Sequence, residues 1–379
     1  MSNTALIFGA GKTGRGFAAH LAFLGGYEIV LIDKSQQLVD ALKKAKRYDI
    51  EVLGDAAKNC TVPLAGVYHI DDPAWQGELV KTGLAFTAVF GNNLEALARS
   101  LAPALAKRGA ENKSQALTVI TCENLTGAAL VLKKAVLQYG DAKQQEWLDA
   151  SVGFSESIIF RTCLEAAANQ SPLTIRAQNF FELPCDGDAI KEPLHVTGLK
   201  PLSCFGNQLT RKIYTYNCIN AVITYLGAKR GYTQLYEAGN DPDILRIARE
   251  AARETAGAQV AEFGFDGEEQ EEWVNGAFAK FADRSIPDPL ERNGADPVRK
   301  LARGDRLIGP ALLALKHGIH PGGLLEGIRA CFDYHDPAQP GTVADVIREK
   351  GAHFVLENIC GLSAGEKLFT LIKEKILPA

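Results

Sequence analysis

Residues 5 to 35 leave the chain little choice of fold. LIFG is a short apolar strand, GAGKTGRGFAAHLAFLGG a glycine turn opening an apolar-periodic helix, and YEIVLIDKS a second strand ending in an acid. Strand, helix and strand in that order close as a right-handed βαβ unit with its strands parallel. Gly9, Gly11 and Gly14 supply G-x-G-x-x-G, which permits a tight turn, close approach of a pyrophosphate to backbone N–H groups, and close packing of helix on strand. Asp33 follows at about the 20-residue distance at which a carboxylate meets the adenosine ribose. A carboxylate there accepts from both ribose hydroxyls and repels a 2′-phosphate, so NAD is the expected cofactor rather than NADP, with Lys34 next door opposing that preference.

Later segments extend the same sheet. LAFTAVFGNN reads as a strand with Gly91 at its end, and QALTVITCENLTG as a β-rich run that stops at Glu123 and Asn124. Loops at the carboxyl ends of such strands line the ligand crevice, which makes Asn124 a candidate wall of the active site, a turn asparagine being the plainer alternative. DASVGFSESIIFR and PLTIRAQNFFELPCD add further β-like stretches, carrying the α/β Rossmann-type doubly wound domain over residues 1–195. Beyond it, KIYTYNCINAVITYLGAKRG, DILRIAREAARETAGAQVAEFG, EEQEEWVNGAFAKFAD, DRLIGPALLALKHG, LLEGIRACFDYH and VADVIREKGAHFVLENICG all have helical spacing. Residues 196–379 are therefore expected to form a mostly α-helical domain that carries the substrate and the catalytic groups. The stretch from Ile286 to Pro297 has the composition of a long loop.

A formal charge of −4 provides no basic field for nucleic acid or an anionic membrane, so any anion must be held locally. No apolar run approaches the roughly 20 residues that span a bilayer. The start, MSNTALIFGAG, lacks the basic region and cleavage site of a signal peptide, which points to the cytoplasm. Eight scattered cysteines with no C-x-x-C pair suit buried thiols in a reducing compartment. His317 and His320 form H-x-x-H, with Asp333 and His335 conceivable as further ligands, but a pair of loop histidines is more often surface chemistry and no metal is expected. DGEEQEEW reads as the solvated first turn of a helix.

RKIYTYNCIN, Arg211 to Asn220, sets an amine and two amides in an aromatic segment. On an α-helix Lys212, Asn217 and Asn220 fall at about 0°, 140° and 80°, counting about 100° per residue, and so share one side. A lysine shut away from solvent has a lowered pKa and can take the proton of a substrate hydroxyl, while amides polarise the same oxygen. From spacing alone, a solvated lysine with two amides satisfying helix ends is the favoured account of the pattern.

At this point the chain resembles the polyol-specific long-chain dehydrogenases, the mannitol dehydrogenase family. GAGKTGRGF, CENLTGA, VGFSES with Arg161, RKIYTYN, ITYLG, ERNGADPVRKL and GDRLIGP follow in the family's order and spacing over nearly the whole chain. The resemblance implies an NAD-dependent, metal-independent oxidoreductase with Lys212 as base and Asn217 and Asn124 polarising the substrate oxygen. It implies that Arg292 and Lys300 hold the substrate, a small and anionic sugar alcohol or its phosphate, in a monomer or small homo-oligomer. Two positions depart from the family pattern: Asn220 stands for a substrate-orienting histidine, and Phe160 for an aspartate. Asn220 donates a hydrogen bond but carries no proton near neutrality, and Phe160 accepts none. A hexuronate or keto-acid sugar reductase, and an NAD-binding homologue without turnover, remain alternatives.

Overall fold

The computed structural model describes residues 3–112, 114–139, 142–336 and 341–376. The chain divides into two compact units, Met1–Phe205 and Gly206–Ala379. The boundary lies later than the expected 195, because Leu199–Leu202 pairs in parallel with Leu183–Asp186 and so belongs to the first unit.

The first unit contains the strands β1 (Thr4–Phe8), β2 (Glu28–Asp33), β3 (Arg47–Leu53), β4 (Cys60–His69), β5 (Leu84–Thr87), β6 (Leu117–Thr121), β7 (Val152–Glu156), β8 (Cys163–Leu164), β9 (Ile175–Gln178), β10 (Leu183–Asp186) and β11 (Leu199–Leu202). One sheet runs β7-β6-β5-β1-β2-β4-β3-β9-β8. The strands from β7 to β4 are mutually parallel, and β3 joins antiparallel to β4. Chain order reverses between β1 and β5, the switch point at which doubly wound sheets bind ligands.

Strand β1 shows why these strands are apolar throughout. Ala5 and Ile7 pack with Phe17, Leu21 and Leu42 on one face, while Leu6 and Phe8 pack with Trp75, Leu79 and Leu97 on the other. Helices cover both faces, so neither alternate position can be polar.

In the second unit a single core gathers Val222, Tyr225, Ile244, Ala251, Phe278, Ile308, Leu324 and Ile328 from helices at Cys218–Lys229, Pro242–Phe263, Gly267–Ala282, Ile308–Lys316 and Gly322–Asp333. The expected loop from 286 to 297 instead contains a helical turn, Leu290–Gly294, whose Leu290 side chain is buried in that core. The last of the expected helices is interrupted at Gly351, where φ is +84°. Among the described residues no helix is long and apolar enough to cross a membrane.

Phe90, just past β5, combines a φ of +65° with a side chain 80% exposed. A bulky residue in that conformation stores roughly 1–3 kcal/mol of strain. Packing offsets little of it, so Phe90→Gly is expected to stabilise the unliganded protein by roughly 1 kcal/mol after the entropy cost of glycine. Thermal denaturation would read this as a raised midpoint; a lowered one would mean that the ring has packing partners.

Candidate active site

In the first unit the glycine turn is packed against its surroundings at two of its three glycines. Gly9 has φ +95°, and a Cβ there would stand 2.4 Å from the Ala88 carbonyl oxygen. At Gly14 a Cβ would come within 1.8 Å of the Gly9 carbonyl oxygen. Gly11, by contrast, has nothing within 4 Å of its missing Cβ, so the turn is dense beneath and open above. The Asp33 carboxylate is fixed beside it: Oδ2 accepts from Ala10 N at 2.6 Å and Oδ1 from Ser35 N at 2.8 Å. Lys34 reaches Asn93 Oδ1 at 3.4 Å. This cradle fits a dinucleotide: backbone amides for the pyrophosphate, and an acid for the ribose.

Arg15, which motif reasoning passed over, lies buried under the turn and donates from Nε to the Ala10 carbonyl at 2.7 Å. Gly91 belongs to a 3₁₀ turn, Gly91–Asn93, rather than to the strand end; a Cβ there would meet Leu125 Cδ2 at 2.7 Å. Asn124 follows β6 and is exposed. Its neighbour Glu123, buried, accepts from Thr87 Oγ1 at 2.8 Å and Val89 N at 2.9 Å and so ties the ends of β5 and β6 together; burial pushes its pKa up. Phe160 is buried with its ring edge-on to Phe180, 5.9 Å between centroids.

In the second unit Arg211 to Asn220 lies on one continuous helix, but the helix is not α throughout. Phe205–Lys212 is α, Ile213–Asn217 is a π turn, and Cys218–Lys229 is α again. The Cys218 N–H bonds to the Ile213 carbonyl, five residues back. A π turn takes up one extra residue, so Lys212, Asn217 and Asn220 count as i, i+4 and i+7 of an ordinary helix. Their angular spread falls from about 140° to about 60°, with about 100° for the absorbed residue. Two tyrosines of the turn seat against glycines: a Cβ at Gly309 would meet the Tyr214 hydroxyl at 2.4 Å, and one at Gly276 the Tyr216 hydroxyl at 2.6 Å.

Burial is the larger cause lowering the Lys212 pKa to about 8, with the charges of Arg306 and Lys280 adding to it. Lys300 is likewise lowered to about 8, by burial first and then by Arg306. Arg306 was not singled out from sequence, although it stands in the GDRLIGP segment. Its Nε donates to Asp305 Oδ1 at 2.7 Å, and the Asp305 Oδ2 also receives Arg299 at 3.2 Å.

Asn293 joins the remaining candidates. Its Oδ1 accepts from Asn220 Nδ2 at 3.1 Å, its Nδ2 donates to Asp288 Oδ1 at 2.7 Å, and its carbonyl accepts from Lys300 Nζ. Arg292 bonds the same Asp288 oxygen through Nε at 2.9 Å and Nη2 at 2.7 Å. Asn220 and Lys300 therefore meet at Asn293, and Arg292 joins them through the shared Asp288, in a segment expected only as a loop. Lys300 Nζ also stands 5.8 Å over the Tyr225 ring. The histidine candidates go elsewhere: His317 Nε2 pairs with Glu262 at 2.7 Å, Asp333 with Lys229 at 2.8 Å, and His335 lies 3.5 Å from Asp345.

Family models decide the ancestry. Residues 3–195 match the mannitol dehydrogenase Rossmann domain and residues 207–358 the mannitol dehydrogenase C-terminal domain. The chain belongs to the mannitol dehydrogenase family. Membership makes it an NAD-dependent oxidoreductase. It is 33% identical to a mannitol-1-phosphate 5-dehydrogenase of Bacillus velezensis over 98% of this chain and 99% of the relative, and 31% identical to one of Bacillus subtilis over 98% and 99%. Its fold is similar to that of a D-sorbitol dehydrogenase, with TM-score 0.73 at 15% identity over 98% of this chain and 93% of that one. The Pseudomonas fluorescens mannitol 2-dehydrogenase, solved with NAD and D-mannitol, gives TM-score 0.65 at 16% identity over 98% and 87%.

The Asp33 geometry predicts that NAD binds at least tenfold more tightly than NADP, about 1.4 kcal/mol. Calorimetric titration of both cofactors checks this. Equal affinities would mean that Lys34 governs the ribose site.

Proposed function

We propose that this member of the mannitol dehydrogenase family interconverts a secondary alcohol and its ketone on a small anionic sugar alcohol, with a sugar-alcohol phosphate the leading substrate class. The observation that carries the reading is a lysine of lowered pKa sharing a helix face with two amides: Lys212 with Asn217 and Asn220. NAD, when bound, supplies the hydride acceptor for oxidation.

In that direction Lys212, neutral, removes the proton of the substrate hydroxyl; in reverse its ammonium returns a proton to the ketone oxygen. Asn217 donates to the same oxygen as negative charge develops, and the family resemblance assigns Asn124 a second such contact. Asn220, fixed by Asn293, orients a hydroxyl without exchanging a proton. The reading uses a lysine base and no metal ion.

An anionic substrate is supported by the local charge. Lys212, Lys300 and Arg306 lie close enough for Arg306 to depress both lysines. Phosphate or carboxylate oxygens offset such crowding. Arg292, 65% exposed in its pair with Asp288, gives up little by turning to substrate, since pairs open to water are worth about 0–1 kcal/mol. Names of the two Bacillus relatives favour a phosphate. Asn220 and the buried Phe160, standing for the family's histidine and aspartate, favour a second reading, an NAD-binding homologue without turnover.

Following NADH absorbance with sugar-alcohol phosphates, neutral sugar alcohols and sugar acids separates these. The phosphates are expected to turn over fastest and the neutral compounds poorly, and Lys212→Ala should lower kcat by roughly 10²-fold or more at unchanged NAD affinity. A neutral alcohol used as well as its phosphate would remove the anion from the account. Tight NAD binding with no turnover of any compound would leave a binding protein.

A further inference from the structure

The widened turn at 213–217 is held from outside its own helix. Such a turn releases a carbonyl from the i→i−4 ladder, and the Tyr214 carbonyl accepts a hydrogen bond from the Thr255 hydroxyl at 3.0 Å. Gln259, one turn further along the Pro242–Phe263 helix, donates from Nε2 to Thr255 Oγ1 at 3.2 Å and to Thr215 Oγ1 at 3.1 Å. Gln270 donates to the same Thr215 oxygen at 3.0 Å, and its own Oε1 accepts from Arg211 Nε at 2.6 Å.

Every member is sealed from water: Arg211, Thr215, Thr255 and Gln259 are 0% exposed, and Gln270 is 1% exposed. Donors and acceptors are matched along the chain: Thr215 Oγ1 accepts from both Gln270 and Gln259, and Gln259 also donates to Thr255, which donates to Tyr214. Arg211 can only donate, which turns the Gln270 oxygen toward it and the Gln270 amide N–H toward Thr215. Arg211 is itself immobilised between the rings of Phe265 and Trp273, 4.6 and 4.4 Å from their centroids, with Glu269 at 3.0 Å. Four polar side chains and an arginine are thus placed deep in a core at the one turn that sets the register of Lys212.

We propose that the chain Arg211–Gln270–Thr215–Gln259–Thr255 is a register lock, which holds the π turn and thereby aligns Lys212 with Asn217 and Asn220. Thr255 and Gln259 are then positioning residues, acting through Lys212. Without the Thr255 hydroxyl the Tyr214 carbonyl loses that partner, and closing the π turn into α offers it one from the i→i−4 ladder. Closing it restores the ordinary α spacing, rotates Lys212 by about 100° relative to Asn217 and Asn220, and widens their spread from about 60° back to about 140°. The consequence for catalysis rests on Lys212 being the base; the lock itself does not.

The test is Thr255→Val, which keeps shape and removes the hydroxyl, beside Thr255→Ser, which keeps it. Lys212 ionisation can be followed without turnover, by NMR of ¹³C-labelled lysine with the signal assigned through Lys212→Arg. In the unaltered protein it should titrate near 8. The lock predicts that Thr255→Val moves it upward toward the ordinary lysine value of about 10.4, lowers kcat roughly tenfold or more at unchanged NAD affinity, and that Thr255→Ser restores both. A folded Thr255→Val protein with Lys212 ionisation and kcat unchanged would overturn the proposal and leave the network a matter of stability alone. Should Thr255→Val not fold, Gln259→Met breaks the link between Thr215 and Thr255 while sparing the bond to Tyr214; it should move both readouts the same way by less, and no movement would equally overturn the lock. If Thr255→Val shifts Lys212 while Lys212→Ala retains full activity, the lock stands and the base assignment fails.

Discussion

The proposed chemistry depends on Lys212, whose ammonium is destabilised first by burial and then by the charges of Arg306 and Lys280. Water would restore the ordinary lysine, so the aromatic residues of RKIYTYNCIN have a purpose beyond core filling. Tyr214 and Tyr216 seat on Gly309 and Gly276, closing the space around the turn that carries the amine. Burial alone would give an inert lysine. In the proposed reading, register on the same face as Asn217 and Asn220 is what gives it a substrate oxygen to act on.

The nucleotide-binding unit solves a different problem with similarly few contacts. A pyrophosphate needs backbone amides with nothing in front of them, so the turn must be dense on its inner side and bare on the other. Gly9 and Gly14 meet the first need, and the open space at Gly11 meets the second. Asp33 is bonded to Ala10 before any ribose arrives, so the acid is already in place when the adenosine enters.

Local patterns in the sequence carried much of this. The βαβ unit, the apolar strands buried on both faces and the helices of the second unit follow from periodicity and turn chemistry, which act over a few neighbours. The π turn does not. IYTYN carries no periodic mark of a widened turn, because the groups that hold it, Thr255, Gln259 and Gln270, lie far along the chain and meet it only after packing. Asn293 was hidden for a related reason: in a Pro- and Asp-rich segment an asparagine reads as a turn residue, and only the folded turn at Leu290–Gly294 sets its amide between Asn220 and Asp288 and its carbonyl on Lys300. Arg306 lay inside a motif already noted, but nothing in its spacing shows that its charge reaches both lysines.

The pH dependence of kcat/KM, followed in both directions on the best substrate, tests the central claim that Lys212 exchanges the proton. The base must be neutral for oxidation and protonated for reduction. Oxidation should therefore rise with pH to a plateau through an apparent pKa of about 8, and reduction should fall through the same value. A profile that is flat across this range, or one that turns only near the ordinary lysine value of about 10.4, would contradict the account.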